Sequence, residues 1–362
     1  GVLMNTGGIA QKLIDFAKIL VGRIPGGLAH TNILGNTLFG SLSGSSVAAS
    51  VAIGGVLIPM EEKEGYDKKF AAAVNIASAP TGLIIPPSGI LIIYPVLAGC
   101  SVVGMIMSGY IPGLMWALAC MVVAYVIAKK NHYPTAGKVP ASVFFKYFVD
   151  AIPSLLLIVI IVGGVMSGIF TATESAAVAV AYTLFLSIVV YRSIKIKDLP
   201  KILLDACETT AIIMFLIAGS NVMSFVMSFT GLPSAIGNAL ISVSSNKYVI
   251  LLIINLVLLV VGCFMDITPA VLIFTPIFLP VVQSFGMDPI HFGIMMVMNL
   301  GIGNITPPVG SSLFSGCSVA DMDMEDMIKP ILPFYAAIFV ALMLVAYVPW
   351  FSMALPTLFG AV

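Results

Sequence analysis

One proline pair occurs twice inside apolar segments, and both copies stand in the same register. Pro86-Pro87 lies in Ile85-Pro86-Pro87-Ser88-Gly89, and Pro307-Pro308 lies in Thr306-Pro307-Pro308-Val309-Gly310, 221 positions later. The register holds upstream: Pro59 pairs with Pro280, Gly65 with Gly286, Asp67 with Asp288 and Gly82 with Gly303, each at the same 221-residue offset. Proline removes a helix donor and blocks the preceding turn, so each pair must interrupt a helix. An internal repeat with interrupted apolar segments points to the binding site of a secondary transporter.

The segments are apolar because the whole chain is: 60% of its 362 residues are hydrophobic and only 9% charged. A soluble domain of this size needs more charge, so the fold class is an all-α polytopic membrane protein. Net charge is zero, which gives nucleic acid nothing to bind. The five cysteines (Cys100, Cys120, Cys207, Cys263, Cys317) are scattered without a CxxC spacing and read as packing residues. The three histidines make no metal motif. The chain opens on Gly1 with neither Met nor signal pattern, so further N-terminal sequence is expected.

Five regions follow along the chain. Residues 1–27 are amphipathic and are expected to lie at the membrane surface as an arm helix. Residues 28–98 form repeat 1. Its first part is broken at Ser41–Ser46 into flanks of about 14 residues, short of the roughly 20 needed to span, and is expected to be a re-entrant hairpin. The charged loop 61–69 and an apolar segment broken at Ala79–Ser88 follow. Residues 99–246 hold spans at about 104–128, 152–170, 176–191 and 206–228, then a second amphipathic arm at 231–246. Residues 247–320 form repeat 2, a hairpin broken at Met265–Pro269 and a second broken span. Residues 321–362 hold a final span at about 331–351. The basic loops 129–150 and 192–201 are cytoplasmic by the positive-inside rule. Counting outward, the two hairpins enter from opposite faces and the repeats are inverted. The acidic loop 321–326 is cytoplasmic by the same count.

Unwound backbone inside a membrane is tolerated only where protein buries it or a cavity hydrates it. The interruptions therefore offer half-helix carbonyls to a cation and half-helix N–H groups to an anion. Ser43, Ser45 and Ser46 supply hydroxyls at the first tip, while Asp266 and Thr268 supply a carboxylate and a hydroxyl at the second. Thr81, Ser88, Asn304 and Thr306 add polar groups in the broken spans. Such oxygen-only sets suit a hard cation, Na+ before a transition metal. No lysine or arginine lies in an interruption, so an anionic substrate depends on Na+ and helix N-termini for counter-charge. Blander readings stand beside these. The Ser-Gly-Ser run also serves close helix packing. Asp266 also fits a solvated tip residue or a cap of the following half-helix. Glu174 reads as a cap or solvated loop residue, and His291 as a structural residue at a helix start.

Several stretches resemble the large membrane subunit (M subunit) of TRAP transporters, the tripartite ATP-independent periplasmic transporters. They are Gly40–Ser46, Ile58-Pro59 through Gly65-Tyr66-Asp67, Ile84–Ser88, Tyr110–Gly113, Gly168–Glu174, Phe264–Asp266, Asp288-Pro289 with His291–Gly293, and Ile302–Gly310. The resemblance runs nearly the whole length. It implies an inverted-repeat, elevator-type importer of organic acids in the bacterial inner membrane. It also implies Na+ as coupling ion, no other cofactor and no enzymatic activity. A small membrane subunit (Q) and a periplasmic substrate-binding protein (P) are the implied partners. The two hairpins and broken helices would form the moving part. One Na+ site would use Ser43, Ser45, Ser46 and Gly82, and the other Asp266, Thr268 and Gly303. Substrate would lie near Ser45, Pro87, Ser88, Asn304, Thr306 and Pro308. The stretch Ala73–Ile85 looks more like the sialic-acid branch than the C4-dicarboxylate branch, although Pro80 is unusual for either. Alternatives are a divalent-anion:Na+ symporter that needs no binding protein, and a channel with paired re-entrant loops. An intramembrane enzyme lacks any catalytic constellation in the spans.

Overall fold

In the computed structural model, residues 3, 8–135, 141–231, 235, 236, 239, 242–244 and 246–361 are described. The described residues are helical, without strands, and seven helices are long and apolar enough to cross a membrane. The protein is a multi-pass membrane protein. The second amphipathic arm expected at 231–246 falls largely outside the described residues. The first forms a helix, Ile9–Val21, with Ile9, Leu13, Ile14 and Ala17 buried along one face.

Each repeat is a helical hairpin followed by an interrupted helix. The first hairpin pairs Gly27–Ser43 with Ser46–Lys63, and the second pairs Lys247–Phe264 with Ile267–Ser284. The arms are longer than the sequence suggests, and each break is only two residues, Gly44-Ser45 and Met265-Asp266. Ser41 and Ser43 stay helical because their hydroxyls donate to the carbonyls of Leu38 (2.9 Å) and Gly40 (3.3 Å). A serine that bonds its own helix needs no exit from it. The turn comes at Gly44, whose φ of 66° lies in the left-handed region open to glycine.

The register carries structural roles from one repeat to the other. Asp67 and Asp288 cap the next helices, their Oδ1 atoms accepting from Lys69 N (3.2 Å) and Ile290 N (2.8 Å). Gly65 and Gly286 both turn with positive φ. The first interrupted helix runs Lys68–Ser78, Thr81–Ile84 and Ile90–Ala98, and the second Pro289–Gly303 and Ser311–Val319. Both proline pairs lie in the non-helical turns between the pieces, and both Pro–Pro bonds are cis.

The remaining helices include Val102–Ser108 with Tyr110–Lys130, then Ala141–Ile158 continued through a widened turn to Met166. Ala172–Phe185, Leu199–Thr230 and Met324–Tyr347 follow. The last span ends at Tyr347, four residues before the expected limit, and a separate helix Trp350–Leu358 starts after Pro349. Cys120, Cys263 and Cys317 are buried as packing residues, but Cys207 is exposed on Leu199–Thr230.

Long-range contacts sort the helix ends into two groups. In one, Lys69 pairs with Asp326 (2.6 Å), Tyr66 donates to Pro134 O (2.9 Å) and Lys12 pairs with Asp150 (3.1 Å). In the other, Tyr94 donates to Pro289 O (2.6 Å) and Tyr347 to Tyr248 O (3.2 Å). The first group contains the 129–150 loop, assigned to the cytoplasm by charge, and it includes the acidic 321–326 loop.

Candidate functional site

Each interrupted helix lies against its hairpin where neither residue has a side chain. A Cβ on Gly82 would fall 2.2 Å from Gly40 Cα, and one on Gly303 would fall 2.5 Å from Gly262 Cα. Backbone therefore touches backbone one turn before each tip, which brings the tips beside the breaks. Buried polar groups hold the same contacts. In repeat 1, Asn36 Nδ2 donates to Asn75 Oδ1 (3.0 Å) and Ser78 Oγ (2.9 Å). The hydroxyls of Thr37 and Thr81 meet at 3.2 Å. In repeat 2, Asn299 Nδ2 donates to Asn255 Oδ1 (2.7 Å). In a low-dielectric interior these amide and hydroxyl bonds are strengthened and hold each helix in register with its hairpin.

The two tips are joined through the second break. Asn304 Nδ2 donates to Ser46 Oγ (2.9 Å) and Ser312 Oγ (3.0 Å), and Ser312 Oγ donates to Ser46 Oγ (2.7 Å). Ser311 Oγ bonds Asn304 Oδ1 and also reaches Asp266 Oδ1 at 3.2 Å. A continuous polar chain thus runs from the first tip to the second. Asp266 takes the N-cap position of Ile267–Ser284, but its side chain makes no capping bond and remains exposed. The N–H groups of that first turn are left to other partners, where the helix dipole favours an anion. At the first tip, Ser45 caps its helix by accepting from Ala48 N (3.2 Å).

A cavity of about 910 Å³ collects these elements. One wall is Ser43–Val47, Pro87–Gly89 and Asp266–Pro269, and the other comes from Ala176–Leu184 and Leu199–Leu216. The volume is that of a small-molecule site. Ser43, Ser45, Ser46, Pro87, Ser88, Asp266 and Thr268 all line it. Gly82 and Gly303 are buried behind it, at the helix contacts. Asn304, Thr306 and Pro308 do not line it. The Asn304 amide is engaged with Ser46 and Ser312, and the Thr306 hydroxyl turns back to Ile302 O (2.6 Å). Ser311 and Ser312 escaped the sequence reading, because nothing in the string separates them from helix-start serines.

Glu174 closes a capping box with Thr171, whose N–H and hydroxyl it accepts at 2.8 and 2.9 Å. His291 is buried in the first turn of Pro289–Gly303, its Nε2 2.8 Å from Val345 O. Both have structural roles.

The family model described as the DctM component of the tripartite ATP-independent periplasmic transporter matches residues 1–351. The chain belongs to this family. Among relatives of this TRAP large subunit, an uncharacterized protein, YgiK, of Salmonella typhimurium is 52% identical over 99% of this chain and 83% of its own. The C4-dicarboxylate TRAP transporter large permease protein DctM of Pseudomonas aeruginosa is 39% identical, covering 99% and 84%. The sialic acid TRAP transporter large permease protein SiaM of Vibrio cholerae is 38% identical, also covering 99% and 84%. Membership of a permease family agrees with the reading of a transporter, not an enzyme.

Proposed function

We propose that this TRAP large subunit imports an organic acid across the bacterial inner membrane, driven by Na+. A periplasmic binding protein delivers the substrate, and a small membrane subunit completes the scaffold. The observation that carries this reading is the cavity into which both hairpin tips open, facing a separate wall of helices. Hydroxyls of Ser43, Ser45 and Ser46 at one tip, and Asp266 with Thr268 at the other, supply hard oxygen donors for two Na+ ions. Substrate carboxylate sits between them beside Ser45, Pro87 and Ser88. Its charge is balanced by Na+ and by the N–H end of Ile267–Ser284, since no basic side chain among the described residues lines the cavity. The paired hairpins and interrupted helices move together past the scaffold as an elevator. Their mutual contacts, backbone on backbone and Asn304 on Ser46, support that unit.

Sialic acid is the preferred substrate from the Ala73–Ile85 stretch. A C4-dicarboxylate is the second reading, because the permeases named for these two substrates are almost equally similar to this chain. The test is uptake of each labelled acid into proteoliposomes holding both membrane subunits, with and without an inward Na+ gradient and the binding protein. Uptake of sialic acid requiring both additions is expected. Uptake independent of Na+ would remove the coupling, and uptake of the dicarboxylate alone would replace the substrate.

A further inference from the structure

The charged run Glu61-Glu62-Lys63-Glu64 reads as a solvated loop at the base of the first hairpin, yet its first member is fully buried. Glu61 is 0% exposed, and neither carboxyl oxygen has a hydrogen-bond partner of ordinary length. The Asn32 amide faces it across the hairpin, itself 0% exposed and with Nδ2 unpartnered. No cation answers the carboxyl. The arm helix packed against this part of the hairpin carries Lys12, Asp15 and Lys18. The first hairpin arm carries His30, the interrupted helix Lys68 and Lys69, and Ser311–Val319 Cys317. The ion pairs among the described residues are Lys12–Asp150 and Lys69–Asp326, so none involves Glu61. Tyr66 is the titratable neighbour that feels its charge. Asn32 leads inward: its Oδ1 accepts from Asn36 Nδ2 (2.9 Å), which reaches Ser78 Oγ (2.9 Å), and Ser78 O accepts from Thr81 Oγ1 (2.6 Å) beside Gly82.

A carboxylate buried with no cation and only one amide facing it is far costlier than a neutral carboxylic acid. We propose that Glu61 is a proton-binding site built into the base of the first hairpin, with Asn32 as its facing partner. It lies apart from the cavity at the tips. The bound species is a proton. Burial holds the Glu61 carboxyl well above the usual carboxylate range. The folded chain therefore binds this proton more tightly than the unfolded chain. The resulting stability is complete below the ordinary carboxylate value and fades as pH rises through the folded value.

Infrared difference spectroscopy of the purified full chain, titrated from acid to alkaline pH, tests the site without requiring transport or Na+. The expected result is a protonated-carboxyl stretch that persists above the ordinary carboxylate range, disappears in Glu61→Gln and is displaced in Glu61→Asp. An identical band in wild type and Glu61→Gln, or no such band in wild type, overturns the proposal. Thermal unfolding gives a second readout. The wild-type Tm is expected to fall as pH rises above the ordinary carboxylate range, with a flatter profile in Glu61→Gln, which has the shape of the neutral form. Equal slopes overturn the proposal. If Glu61→Gln yields no folded protein, displacement of the band in Glu61→Asp decides it.

Discussion

Gly82 and Gly303 hold the site by what they lack. A methyl group at either would overlap facing backbone, which cannot rotate away as a flexible side chain can. Overpacking of this kind costs about 1–3 kcal/mol. Gly82→Ala and Gly303→Ala should therefore lower the Tm and uptake together, whereas Gly89→Ala, with open space around its Cβ position, should leave the Tm near wild type. A wild-type Tm in Gly82→Ala would show that the contact is not tight. At the tips the expected effect is on ion dependence. Asp266→Asn and Ser45→Ala should each raise the Na+ concentration for half-maximal uptake, measured with substrate held constant. An unchanged Na+ dependence in both would take these residues out of the cation sites.

At the scale of elements, the repeat was legible because its punctuation is residue-specific. Proline pairs, capping aspartates and turn glycines recur at a fixed offset, and each does the same job twice in the structure. The arm lengths were less legible. Ser41 and Ser43 look like a break in the string, but their hydroxyls bond carbonyls of their own helix. The polar chain between tips was hidden for another reason: Ser46 and Ser312 are 266 positions apart, and only packing brings them together. Their contact links hairpin 1 to the second interrupted helix, so it predicts coupling. In a double-mutant cycle of Ser46→Ala and Ser312→Ala, thermal or denaturant unfolding should give an interaction energy of about 0.5–1.5 kcal/mol. Additive losses would mean that the two repeats are not joined through this bond.

At the scale of the whole molecule, the charge rule and the contact pattern bear on one question by independent routes. Basic loops assign residues 129–150 to the cytoplasm. The acidic loop 321–326 opposes that trend in sign, yet the Lys69–Asp326 pair sets it beside the base of the first hairpin. One of its acids, Asp326, is paired across the fold, a relation that a loop-by-loop reading does not contain. The base of the second hairpin lies with Pro289 and Tyr94 in the opposite group. On a background with the native cysteines replaced, Asp321→Cys and Lys130→Cys should react with a membrane-impermeant maleimide only in inside-out vesicles. Gln283→Cys, exposed at the base of the second hairpin, should react only in right-side-out ones. Labelling of Asp321→Cys and Gln283→Cys from one side would remove the inversion of the repeats. Without inversion, the two tips could not approach a shared cavity from opposite faces, and alternating access by one moving unit would lose its geometric basis.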